Sequence, residues 1–260
     1  MLFKSIGVVL AFGSASSTLA QDVAEDWALV RQPDDKTIIA YVELSSGLTI
    51  GFRCVDGAYG AIIAGLPEAG RNDEVRTLSL QVRDRPMRDT RWTVTRDRSS
   101  AIAEFPASLA RSFREGGPIS LVVPGDSEDG RNLRYNIPLP ASPNAINETL
   151  TACEKPLVDA RDALIPEVAE DSLPDGLVWS EPPRPRHPSN NYASGYAVVS
   201  CVVQPDGRVD ACEVESEFPL DGRYGRNALA AMPEARVVSP GETPGQYAPR
   251  MIGFRVHFSQ

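Results

Sequence analysis

The sequence predicts an α+β protein, a β-rich N-terminal domain followed by a small β-β-α-β C-terminal domain. Three observations lead there. Short β-branched and alternating runs recur between turn residues from 21 to 165. The texture then turns proline-rich from 166 to 194, densest in EPPRPRHP at 181–188. Residues 195–260 finally read as a hairpin, a short helix and a last strand. A length of 260 residues leaves room for two small domains, and 42% hydrophobic with 23% charged residues is a globular composition.

Met1 to Ala20 reads as a signal peptide. Lys4 supplies the positive start, IGVVLAF at 6–12 the apolar core, and SASSTLA at 14–20 the small residues before cleavage at Ala20. That apolar run is far shorter than the ~20 residues of a transmembrane helix. An exported chain with no transmembrane segment after signal removal is expected. Acids outnumber bases 35 to 26, for a net charge of -9. Phosphate backbones and anionic lipid repel such a chain, so no nucleic-acid partner is expected.

The N-terminal strands are expected at 27–31, 37–44, 48–54, 58–64, 76–82, 92–95, 119–123 and 133–139, with turns at Ser46-Gly47 and Asp56-Gly57. Pro106 opens a helix that Gly116-Gly117 stops, with Leu109 and Phe113 on one face. A second helix has Ser142 as N-cap and Pro143 in its first turn, and its face carries Ile146, Leu150 and Cys153. The stretch from 166 to 194 reads as a stiff spacer, with His187 in solvent. In the C-terminal domain a hairpin covers 195–215, a helix 224–232 and a strand Arg250 to Phe258. Ile252, Phe254, Val256 and Phe258 share one face of that strand, Arg255 and His257 the other.

Four cysteines in an exported chain imply two disulfides, with three pairings possible. A four-residue loop, Pro205 to Arg208, would pair Gln204 with Val209 and set Cys201 opposite Cys212. Cys54 is then left with Cys153. No catalytic or metal-ligating set emerges. The chain has two histidines and neither follows a hydrolase motif, and P-loop, GxGxxG and HExxH patterns are missing. The pairs Asp34-Asp35 and Glu128-Asp129 lie in polar turns, where solvated charge accounts for them. No enzyme activity and no cofactor are therefore expected. A carboxylate-based periplasmic hydrolase is the enzymatic alternative.

GYAVVSCVVQPDGRVDACEVESEFP, then YGRNALAAM, VVSPGETPGQ and GFRVHF resemble the TonB C-terminal domain over residues 195–260. The resemblance implies a periplasmic, non-enzymatic protein-binding module that takes a partner strand along a sheet edge, linked to envelope transport. The partner would be an envelope protein such as an outer-membrane transporter. The strand from Arg250 to Phe258 is the candidate acceptor, with Arg250, Ile252, Phe254, Arg255, Val256 and Phe258 as its site residues. Core packing alone would also produce its alternation. A cleavable-looking signal stands where that family has a membrane anchor, and Tyr192 is followed by Ala193 rather than by the family's proline. The N-terminal domain resembles exported domains of the invasion-associated locus B type in its early Trp27 and Cys54 and in LTAC at 150–153, a fold-level analogy. A secreted or structural interaction factor is the other class of protein compatible with these features.

The signal reading has a direct check. Intact mass of the fractionated protein should match a chain beginning at Gln21, and recovery only in washed membranes with Met1 retained would contradict cleavage.

Overall fold

A computed structural model describes residues 26–125, 131–165, 173, 176–189, 192–220, 222–241 and 250–259. The signal region, Glu128-Asp129 and the latter part of the turn at 239–245 lie outside the described residues. The chain is β-rich with few helices, an α+β fold at the coarse level.

Nine strands form the first sheet: β1 (Ala28–Gln32), β2 (Thr37–Glu43), β3 (Thr49–Val55), β4 (Ala58–Ala64), β5 (Val75–Val82), β6 (Arg88–Val94), β7 (Ala101–Ala103), β8 (Gly117–Val123) and β9 (Leu133–Leu139). Their spatial order is β1-β2-β3-β4-β7-β6-β5-β8-β9, antiparallel throughout. The expected turn at Asp56-Gly57 is a two-residue hairpin loop between the paired Val55 and Ala58. Both its residues have positive φ, 45° and 87°, the twist that a tight antiparallel hairpin needs. The sheet curls, so that Phe52 near one end and Leu121 and Ile137 near the other belong to one apolar core. β7 escaped the sequence reading because AIA is short and buried along its whole length, with no alternation to mark it.

Helices α1 (Pro106–Phe113) and α2 (Asn144–Ala152) pack on β2, β3 and β4. Phe113 meets Phe52 edge-on at 5.8 Å, and Trp27 lies 5.6 Å from the same ring. In α2 the cap position belongs to Pro143, one residue later than expected, and Cys153 ends the helix. Ile146 and Leu150 are fully buried beneath it. Cys153 is bonded to Cys54 of β3 with the Cα atoms 5.5 Å apart, and Tyr59 and Thr149 share a 2.9 Å hydrogen bond nearby.

The second sheet has the order β12-β11-β14, built from β11 (Ser194–Val203), β12 (Val209–Phe218) and β14 (Arg250–Ser259). Helix α3 (Tyr224–Ala231) covers β11 and β12. Glu217 of β12 reaches its first turn and accepts a 2.6 Å bond from the Gly225 amide, an anion at the positive end of a helix. Two short strands, β10 (Val178–Glu181) and β13 (Arg236–Val238), pair alongside.

The β11–β12 loop corrects the expected register. Gln204 accepts from Gly207 and pairs with Arg208, so the loop is Pro205-Asp206-Gly207, one residue shorter. Gly207 takes φ 82°, as the third residue of such a loop must. A bulge at Ala211, φ 46°, then adds the residue that the shorter loop removed. Cys212 therefore still faces Cys201, and the two are bonded with the Cα atoms 4.0 Å apart.

The described part of the proline-rich stretch is not a free spacer. Leu173 and Leu177 are buried in the core of the second sheet, and Trp179 meets Phe254 of β14 edge-on at 5.0 Å. His187, expected in solvent, is half-buried, 5.7 Å from the Tyr224 ring and 6.2 Å from that of Phe258. Asn227 of α3 donates a 2.7 Å bond to the Arg186 carbonyl and holds the segment down. Residues 178–189 thus form a strap over β14, on the same face of the sheet on which α3 covers β11 and β12. Proline supplied the stiffness, while Trp179 and His187 supplied surface to bury, and burial won.

The two disulfides should contribute unequally, because their loops span 99 and 11 residues. On the chain-entropy model Cys54→Ala with Cys153→Ala should cost about 4–5 kcal/mol, and Cys201→Ala with Cys212→Ala about 3 kcal/mol. Urea unfolding of the two double variants checks the order, and a reversed order would contradict it.

Candidate functional site

The candidate strand β14 lies at an edge of its sheet. It pairs with β11 in one unbroken register from Arg250 opposite Val203 to Ser259 opposite Ser194. Among the described residues no other strand pairs with it. The opposite edge, β12, carries two register shifts, and the bulge at Ala211 bends its outer rim. Bulges disrupt the row of backbone groups that an incoming strand would need. β14 has neither a bulge nor a proline.

Ile252, Phe254, Val256 and Phe258 turn into the core, as their alternation predicts. The Arg255 side chain, on the other face, is buried as well. Around Arg255 this face packs against the first sheet and leaves the side chain 6% exposed, whereas His257 on the same face is exposed. The guanidinium lies 4.3 Å from the Tyr196 ring centre, is paired with the Glu104 carboxylate and donates a 3.1 Å bond to Thr93 Oγ1. Tyr196 donates to the same Thr93 oxygen at 2.6 Å, and Ser216 donates to the Glu104 carbonyl at 2.8 Å. Arg91 of β6 stands 3.9 Å from the carboxylate.

A second cluster reverses the polarity. Here Arg161, which follows α2, reaches Glu213, Glu215 and Ser200 of the second sheet. Glu215 also accepts from Ser200, and Lys155 donates to the Val214 carbonyl at 3.1 Å. Burial pushes the carboxyls of Glu104 and Glu215 above the usual range, against the pull of Arg255 and Arg91 on the first and of the Ser200 bond and Arg161 on the second. Burial likewise raises the Tyr196 hydroxyl to about 12.

These contacts were invisible in the sequence. Thr93 and Tyr196 are 103 positions apart, Glu104 and Arg255 151. The one available signal was Glu104 itself, a carboxylate set between AIA and an apolar helix. Asp34 and Asp35 are exposed in a short 3-10 turn.

A shallow groove of about 390 Å³ lies beside the second disulfide, between Arg208–Cys212 and Leu229, Met232 and Pro233. Its charged rim is internally paired, Arg208 with Asp206 and Asp210 with Gln204. Among the described residues no group of three or more His, Cys, Asp or Glu is placed to hold a metal ion. None of the described helices is long and apolar enough to cross a membrane. Two disulfides with no free cysteine fit an oxidising, exported compartment. No protein-family model matches the chain, and no curated protein or solved structure matches it either.

The ion pair between the sheets can be tested by a double-mutant cycle. Arg255→Leu leaves a buried carboxylate without its main partner and should cost about 3 kcal/mol. Adding Glu104→Gln should restore at least half of that, because no uncompensated charge of the pair remains buried. Urea midpoints for the four proteins give the coupling, and additive costs would rule the pair out as a fastening.

Proposed function

We propose that the chain is an exported, non-enzymatic protein-binding protein of the periplasm. Its second sheet takes an extended segment of an envelope partner along the free edge of β14. The asymmetry of the two edges carries this reading. β12 is blunted by bulges, whereas β14 presents a ten-residue ladder with no bulge and no proline. The backbone of β14 would supply affinity, and side chains beside it would supply selectivity. The resemblance of residues 195–260 to the TonB C-terminal domain points the same way, and it makes an outer-membrane transporter the first partner class to examine.

A scaffold reading, in which the module only stabilises a secreted or structural factor, draws support from the buried contacts of Arg255 and Tyr196. It differs in one consequence: β14 would then meet no partner. A photo-crosslinking residue at exposed Ser259 of β14, compared with one at exposed Asp210 of β12, separates the two in envelope extracts. Crosslinking to a defined envelope protein from Ser259 alone is the expected result. Adducts from Asp210 alone, or equally from both positions, would overturn the edge reading.

A further inference from the structure

We infer that the edge site selects an acidic extended segment, and that Arg184 and Arg186 on the strap are the residues that select it. This rests on the edge reading above and adds the chemistry of the partner.

The strap is fixed at both ends of the stretch of β14 it covers. Trp179 holds it against Phe254, and His187 against Phe258 and Tyr224. Asn227 grips the Arg186 carbonyl between these points of contact. The backbone is therefore pinned while the Arg184 and Arg186 side chains remain exposed. Neither forms an ion pair among the described residues.

The local charge runs against that of the whole chain. The net charge is -9, yet the strap, α3 and β14 together carry five arginines and a single acid, Glu181. β14 itself has no acid among its ten residues. Arg255 is committed to Glu104, and of the other arginines on these three elements the strap pair and Arg226 of α3 are exposed. A strand added to β14 would run alongside the strap, and every second side chain would be directed to the strap's side of the sheet. Carboxylates at those positions would meet arginine, whose planar fork suits them. Lysines there would meet like charge. An acidic chain with a basic rim also draws an acidic segment toward that rim in preference to the rest of its surface.

The test uses the mature chain and two synthetic peptides. One alternates Val with Asp and Glu, and its counterpart carries Lys at the acidic positions. Fluorescence anisotropy gives affinity at two salt concentrations, and hydrogen exchange reports on the β14 amides. The acidic peptide should bind roughly tenfold more tightly, the order expected of two exposed charges, and should protect β14. The preference should weaken at high salt, disappear in R184Q/R186Q and invert in R184E/R186E, with circular dichroism confirming the fold of each. Equal binding of both peptides with β14 protected would leave the edge reading standing and overturn the arginine selectivity, as would a preference that survives R184E/R186E. Protection of β14 by neither peptide would overturn the edge reading itself.

Discussion

Two charges removed from water have to keep each other, and Arg255 with Glu104 is where this protein accepts that condition. The carboxylate is 1% exposed and the guanidinium 6%, so in the packed state each is compensated by the other rather than by solvent. Thr93, Tyr196 and Ser216 add directed hydrogen bonds around the pair, and the Arg161 cluster repeats the arrangement with the charges exchanged. Apolar contact alone would let the second sheet slide, because burial is non-directional. Complementary polar groups at two separated points define a single docking geometry.

That docking has a consequence for the second sheet. Three strands have two faces to cover. The first sheet takes one, and the other is shared between α3 over β11 and β12 and the strap over β14. The residue types follow from these duties. Tyr196 and Val198 stay apolar on the docked face, and aromatic rings at 179, 254 and 258 fill the space that a helix would otherwise occupy. With both faces committed, the sheet offers its edges, and the bulge at Ala211 leaves them unequal.

Local chemistry made much of this readable in advance. Asp56-Gly57 specified its hairpin because positive φ at both positions excludes most other pairs, and the apolar face of β14 followed from a period of two. The Cys201–Cys212 bond was found through a register that proved one residue off near the turn. The bulge at Ala211 corrected it, and a bulge between ordinary residues leaves little trace in sequence. Cys54 with Cys153 came by elimination once that pair was assigned.

The sequence by itself determined most of the longer strands, helices α1, α2 and α3, the two disulfide pairs and the inward face of β14, since each follows from turn chemistry, periodicity or counting. Only the tertiary structure decided that Arg255 is buried, that His187 is held against Tyr224 and Phe258, and that the proline-rich segment is a strap. The physical reason is range. A proline fixes its own φ and an alternating run fixes its own faces, but a buried charge depends on a partner 151 positions away. Whether Trp179 lies in solvent or on Phe254 is set by which surface remains uncovered once the rest of the chain has packed.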